Sequence, residues 1–70
     1  MINKNKYLTG KVDFYNRERA FGFVKSDGSG KRYFFHITNV VGRSIQVTDS
    51  VTFDLQETDR GIRAINVQIL

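Results

Sequence analysis

The stretch AFGFVKSDGSGKRYFFHI, residues 20–37, holds four phenylalanines, a tyrosine and the only histidine of the chain around a glycine-rich turn. Phe21 and Phe23 alternate with Gly22 and Val24; Tyr33, Phe35 and Ile37 alternate with Phe34 and His36. A period of two is the signature of a strand. Asp27-Gly28-Ser29-Gly30 between the two runs reads as a tight hairpin connection. Pairing the two strands gathers Phe21, Phe23, Phe34 and His36 on one face, opposite Val24 and Phe35.

The same period continues elsewhere. Val51, Phe53 and Leu55 alternate with Thr52 and Asp54, and Ile65, Val67 and Ile69 alternate with Asn66 and Gln68. A fifth strand is read at Lys11–Asn16, where the adjacent rings of Phe14 and Tyr15 must break the alternation or show one ring on each side. Turns fall at Asn16–Arg19 and at Thr58-Asp59-Arg60-Gly61. Thr38–Ser50 is irregular, with room for one helical turn at Thr38–Val41, and no longer window shows a helical stripe. Short, regularly spaced strands without a long helix indicate a small all-β barrel or sandwich.

Such a barrel has one inside. Val12, Val24, Phe35, Val47, Val51, Phe53, Leu55, Ile65, Val67 and Ile37 are enough to fill it. Each is worth about 1.5–3 kcal/mol when fully buried. Phe21, Phe23, Phe34 and His36 are then left largely exposed, because no helix is available to cover them. An apolar patch open to water marks a binding site. The competing readings are ordinary core rings and a dimer interface that hides the patch.

The totals bound what can bind there. The chain has 70 residues, no cysteine, and 11 Lys+Arg against 7 Asp+Glu, a net charge of +4. Absence of cysteine removes disulfides and thiolate metal sites, and a single histidine leaves little for any metal; no cofactor is expected. The N-terminal MINKNKYL lacks the ~7–15 apolar residues of a signal peptide, and no run approaches the ~20 of a membrane span. A soluble cytoplasmic protein without a membrane partner is expected. A basic balance with many rings is what unpaired nucleic acid requires.

With these residues in hand the chain resembles the cold-shock domain family. The first nucleic-acid motif of that family, approximately Lys-Gly-Phe-Gly-Phe-Ile, is met by Arg19-Ala20-Phe21-Gly22-Phe23-Val24. The second, approximately Val-Phe-Val-His-Phe, is met by Tyr33-Phe34-Phe35-His36-Ile37. Its first strand, Gly-x-Val-Lys-Trp-Phe-Asn, is met by Gly10-Lys11-Val12-Asp13-Phe14-Tyr15-Asn16. The match runs from about Thr9 to Val67. The resemblance implies a five-stranded antiparallel barrel of the oligonucleotide/oligosaccharide-binding (OB) type over residues 9–70, with residues 1–8 an extension and the start of the first strand.

The resemblance also implies binding of single-stranded RNA or DNA without catalysis, as an RNA chaperone of low sequence specificity. Phe14, Phe21, Phe23, Phe34 and His36 would stack bases, with Tyr15 a weaker candidate. Lys11, Arg19, Arg32 and Arg60 would guide phosphates. Four departures bear on affinity: Asp13 stands for a usual lysine, Phe14 for tryptophan, Ala20 for glycine and Ile37 for an aromatic. The loop at Thr38–Ser50 also lacks an aromatic often found there. Arg32 stands where an acid is common and moves the charge the other way. Weaker binding than that of a typical member is expected. The alternative is a protein-interaction module or homodimer using the same rings.

Two smaller features carry no chemistry. Gly28-Ser29-Gly30-Lys31 resembles the end of a phosphate-binding loop, but Lys25 stands where its first glycine is needed, and no serine or threonine follows Lys31. His36 has no nucleophile or carboxylate partner in the sequence pattern, so neither an enzyme nor a small-molecule substrate is expected.

Overall fold

The structure is a computed structural model that describes residues 8–42 and 45–70. The strands are β1 (Leu8–Asn16), β2 (Phe21–Ser26), β3 (Arg32–His36), β4 (Val40–Val41), β5 (Ser50–Thr58) and β6 (Gly61–Ile69). One turn of 3₁₀ helix, Ile37–Asn39, joins β3 to β4. The order across the sheet is β3-β2-β1-β5-β6-β4, and β3 also pairs with β6, which closes the barrel. The five long strands are those read from the alternation; β4 is only two residues long. The pairs from β3 through β2, β1 and β5 to β6 are antiparallel, as expected, while the closing β3–β6 pair, Phe34 with Arg63, and the terminal β4–β6 pair, Val40 with Val67, are parallel.

The strand β1 belongs to both halves of the barrel: Lys11 is opposite Lys25 of β2 and Ser50 of β5. Beyond it the strand bends. Val12 faces Val24 and Phe14 faces Phe23, so Asp13 is an extra residue, a β-bulge. A bulge shifts the phase of the strand and increases its twist. It resolves the adjacent rings. Phe14 joins the outer face, while Tyr15, opposite Gly22, turns inward and stacks on Phe35 with centroids 6.2 Å apart and planes 8° from parallel. Gly22 is required there, because a Cβ would lie 2.2 Å from the Phe14 carbonyl oxygen and 2.9 Å from the Phe35 ring.

The core is Val12, Val24, Phe35, Ile45, Val51, Phe53, Ala64 and Val67. Six of these residues were expected, and the other positions need correction. Val47 is 48% exposed, and the loop turns Ile45 inward in its place. That loop is pinned to β1: the Val12 N–H donates to the Asp49 carbonyl, and the Thr48 N–H donates to the Val12 carbonyl. Leu55, opposite Ala64 of β6, is 38% exposed. A second irregularity, between Thr52 and Asp54, shifts β5 against β6, and Asn66 lies at a left-handed φ of 54°. Ala64 and Val67 therefore both face inward though three residues apart, and Ile65 is only half-buried. Ile37 packs against the core edge.

Candidate nucleic-acid interface

On the outer face of β1–β3, residues fall into rows set by the strand register. Phe14, Phe23 and Phe34 are opposite one another across the three strands; Asn16, Phe21 and His36 form the next row, and Lys11, Lys25 and Arg32 the row on the other side. Ring centroids lie 6.0 Å apart for Phe14–Phe21, 5.5 Å for Phe21–Phe34 and 6.1 Å for Phe23–Phe34. These are ordinary separations for aromatic pairs. The four phenyl rings thus shield one another. Phe14 is 42% exposed, whereas Phe21, Phe23, Phe34 and His36 are half-buried. The expectation of largely exposed rings is corrected to that extent: each phenyl ring loses part of its surface to a neighbour and keeps part of it open.

His36 is held by its own backbone. Its Nδ1 accepts the Thr38 N–H at 3.2 Å and lies 3.1 Å from Thr38 Oγ1, capping the 3₁₀ turn. A ring nitrogen that accepts carries no proton, so in the neutral imidazole the proton is on Nε2. The Asn16 side-chain oxygen accepts the Arg19 N–H at 3.0 Å, shaping the turn into Phe21. In that turn Ala20 has φ 59°, and its carbonyl accepts the Ile37 N–H. The backbone there does require a left-handed residue, which alanine supplies at a cost of roughly 1–2 kcal/mol.

Where β3 meets β6 the face continues into a groove of ≈ 730 Å³ bordered by Phe34, His36, Thr38, Arg60, Ile62 and Arg63. The turn between β5 and β6 presents Arg60 at its rim. Its N–H donates to Thr58 Oγ1, which donates to the Gly61 carbonyl. Rings on one wall and two guanidinium-bearing residues on the other give the groove both a stacking surface and positive charge.

The chain matches the family described as the 'Cold-shock' DNA-binding domain over residues 8–70. It belongs to the cold-shock domain family. It is 36% identical over 62 residues to the cold shock protein ScoF of Streptomyces coelicolor, covering 84% of this chain and 92% of ScoF. It is 38% identical over 61 residues to the cold shock protein CspD of Bacillus subtilis, covering 83% and 91% of the two chains. Among solved structures it is similar to one of Drosophila Unr, CSD456, with a TM-score of 0.78 and 28% identity over 93% of this chain and 27% of that one. The family consists of non-enzymatic nucleic-acid binders, which points to nucleic acid as the class of partner. No helix among the described residues is long and apolar enough to cross a membrane.

In this cold-shock domain the residues singled out from the sequence do not all converge. Phe14, Phe21, Phe23, Phe34 and His36 form one surface, with Arg60 beside His36 and Arg19 on the turn before Phe21. Tyr15 is not part of it, since its ring lies against Phe35 on the inner side. Lys11 points outward, at the edge of the face. Arg32 does not stand open as a free cation: its Nε is 2.7 Å from Asp13 Oδ2, and its guanidinium carbon is 4.9 Å from the Phe23 centroid. Lys25 and Arg63 border the face and were missed. Lys25 was legible, because it shares parity with Phe21 and Phe23. Arg63 was not, because it reaches the site only through the parallel β3–β6 closure.

Proposed function

We propose that this cold-shock domain binds single-stranded RNA or DNA with little sequence preference and acts as an RNA chaperone. The observation that carries this reading is the continuous face of Phe14, Phe21, Phe23, Phe34 and His36, bordered by Lys11, Lys25 and Arg32 on one side and Arg60 and Arg63 on the other. Unpaired bases offer flat π surfaces, and each base stacked on a ring is worth roughly 1–3 kcal/mol. Backbone phosphates follow the bordering cations, each neutralised phosphate adding a slope of about −0.7 to the salt dependence. A duplex keeps its base faces stacked inside and gains only the electrostatic part. Binding to the open form alone melts weak hairpins by mass action.

The test is fluorescence anisotropy of a labelled heptathymidine at two salt concentrations, with a duplex of equal length as control. Saturable, salt-weakened binding that prefers the single strand is expected. Changing Phe21, Phe23 and Phe34 together to leucine keeps apolar bulk and removes the flat surfaces. Affinity should fall roughly a hundredfold or more while circular dichroism stays unchanged. The competing reading seats a second copy of the chain on the same rings. Dimerisation with rising concentration and no strand binding would replace this reading with that of an interaction module.

A further inference from the structure

Lys11, Lys25 and Arg32 stand in register at one side of the aromatic face, and all three are exposed. Among the described residues only Arg32 is engaged in an ion pair, with Asp13. Asp13 is the bulged residue of β1, without a partner on β2. The guanidinium it holds also covers part of the Phe23 ring. The two side chains remain 51% and 40% exposed, so a solute can reach them. To a guanidinium, a carboxylate and a phosphate are the same kind of partner, anions that offer two oxygens to its planar fork of N–H donors.

We infer that Asp13 is a built-in competitor for the phosphate of a bound strand at Arg32, so that binding exchanges carboxylate for phosphate and uncovers Phe23. The inference rests on the strand-binding reading above. A phosphate neutralised by Lys11 or Lys25 sheds its condensed counterion into solution. At Arg32 the guanidinium that a phosphate gains is one that Asp13 gives up, so the freed carboxylate leaves the net charge there unchanged and little net counterion is released. Arg32 is therefore largely silent in the salt dependence of the native protein, and Asp13 holds affinity down. A carboxylate acting only by repelling phosphates would not need Arg32 at all.

The anisotropy titration, run between about 50 and 200 mM salt, separates the two on the native chain, Asp13→Asn, Arg32→Gln and the double variant. Asp13→Asn is expected to tighten binding roughly two- to fivefold and to steepen the slope of log K against log salt by about 0.7. Asp13→Ser should repeat the pattern. In the Arg32→Gln background the same change should leave the slope as it was. Equal gains with and without Arg32, or no gain, overturn the competitor role while strand binding by the native chain stands. Absence of binding by both the native chain and Asp13→Asn overturns the strand-binding reading and this inference together.

Discussion

Phe34 and Phe35 are chemically identical and adjacent in β3, yet they belong to different regions of the molecule. Phe35 is fully buried beneath Tyr15 and beside Val12 and Val24, at 0% exposure. Phe34 lies on the outer face between Phe21 and Phe23, half-buried, with Arg63 of β6 on its other side. A strand turns successive side chains to opposite sides, so one carbon skeleton serves as core and the next as ligand surface. The difference shows that the role of a ring here is set by parity and by what covers each side of the sheet, not by hydrophobicity.

The sharpest way to break the comparison is to truncate both rings separately. Phe35→Ala should destabilise the domain by about 3–5 kcal/mol. A domain this small has little margin, so largely unfolded protein by circular dichroism at 25 °C is expected. Gly22→Ala probes the inner face from the other direction. Its Cβ would meet the Phe14 carbonyl oxygen, a backbone atom that can retreat only by parting β1 from β2. A loss at the upper end of the ~1–3 kcal/mol typical of overpacking is expected in urea unfolding.

Phe34→Ala belongs to the outer face. It should weaken heptathymidine binding by roughly 1–3 kcal/mol with far less effect on folding than Phe35→Ala. Equal destabilisation by the two truncations would show that the outer rings serve as a second core. The smallest effect expected is a gain. Ala20→Gly relieves the left-handed φ of 59° before Phe21. It should add about 1 kcal/mol, seen as a Tm roughly 4–8 °C higher, with binding unchanged.

The two halves of the barrel differed in how well they could be read. On β2 and β3 the alternation is unbroken from Phe21 to Lys25 and from Arg32 to His36, and the assignment of Phe21, Phe23, Phe34 and His36 to one face stands. On β5 and β6 the period slips between Thr52 and Asp54 and at Asn66, so Ala64 faces the core and Ile65 only half does. Alanine gives no signal of burial in a hydrophobic pattern, and Asn66 gives no more than a hint of a left-handed backbone. Ile45 escaped for a third reason: it lies in an irregular loop where periodicity says nothing. At the site, cations on the strands themselves were within reach of parity, but Arg63 was not.

Strand identity and the sidedness of the ring-bearing hairpin could be read from the residues, because each follows from neighbours one or two positions apart, and the excess of positive charge follows from composition alone. Three features needed the tertiary structure: the inward turn of Tyr15, the arrival of Arg63 beside Phe34, and the capture of Arg32 by Asp13. Each depends on how far one strand slides or bends relative to another. Bulges and barrel closure set that offset, and they act between segments distant in the chain, where local pattern carries no information.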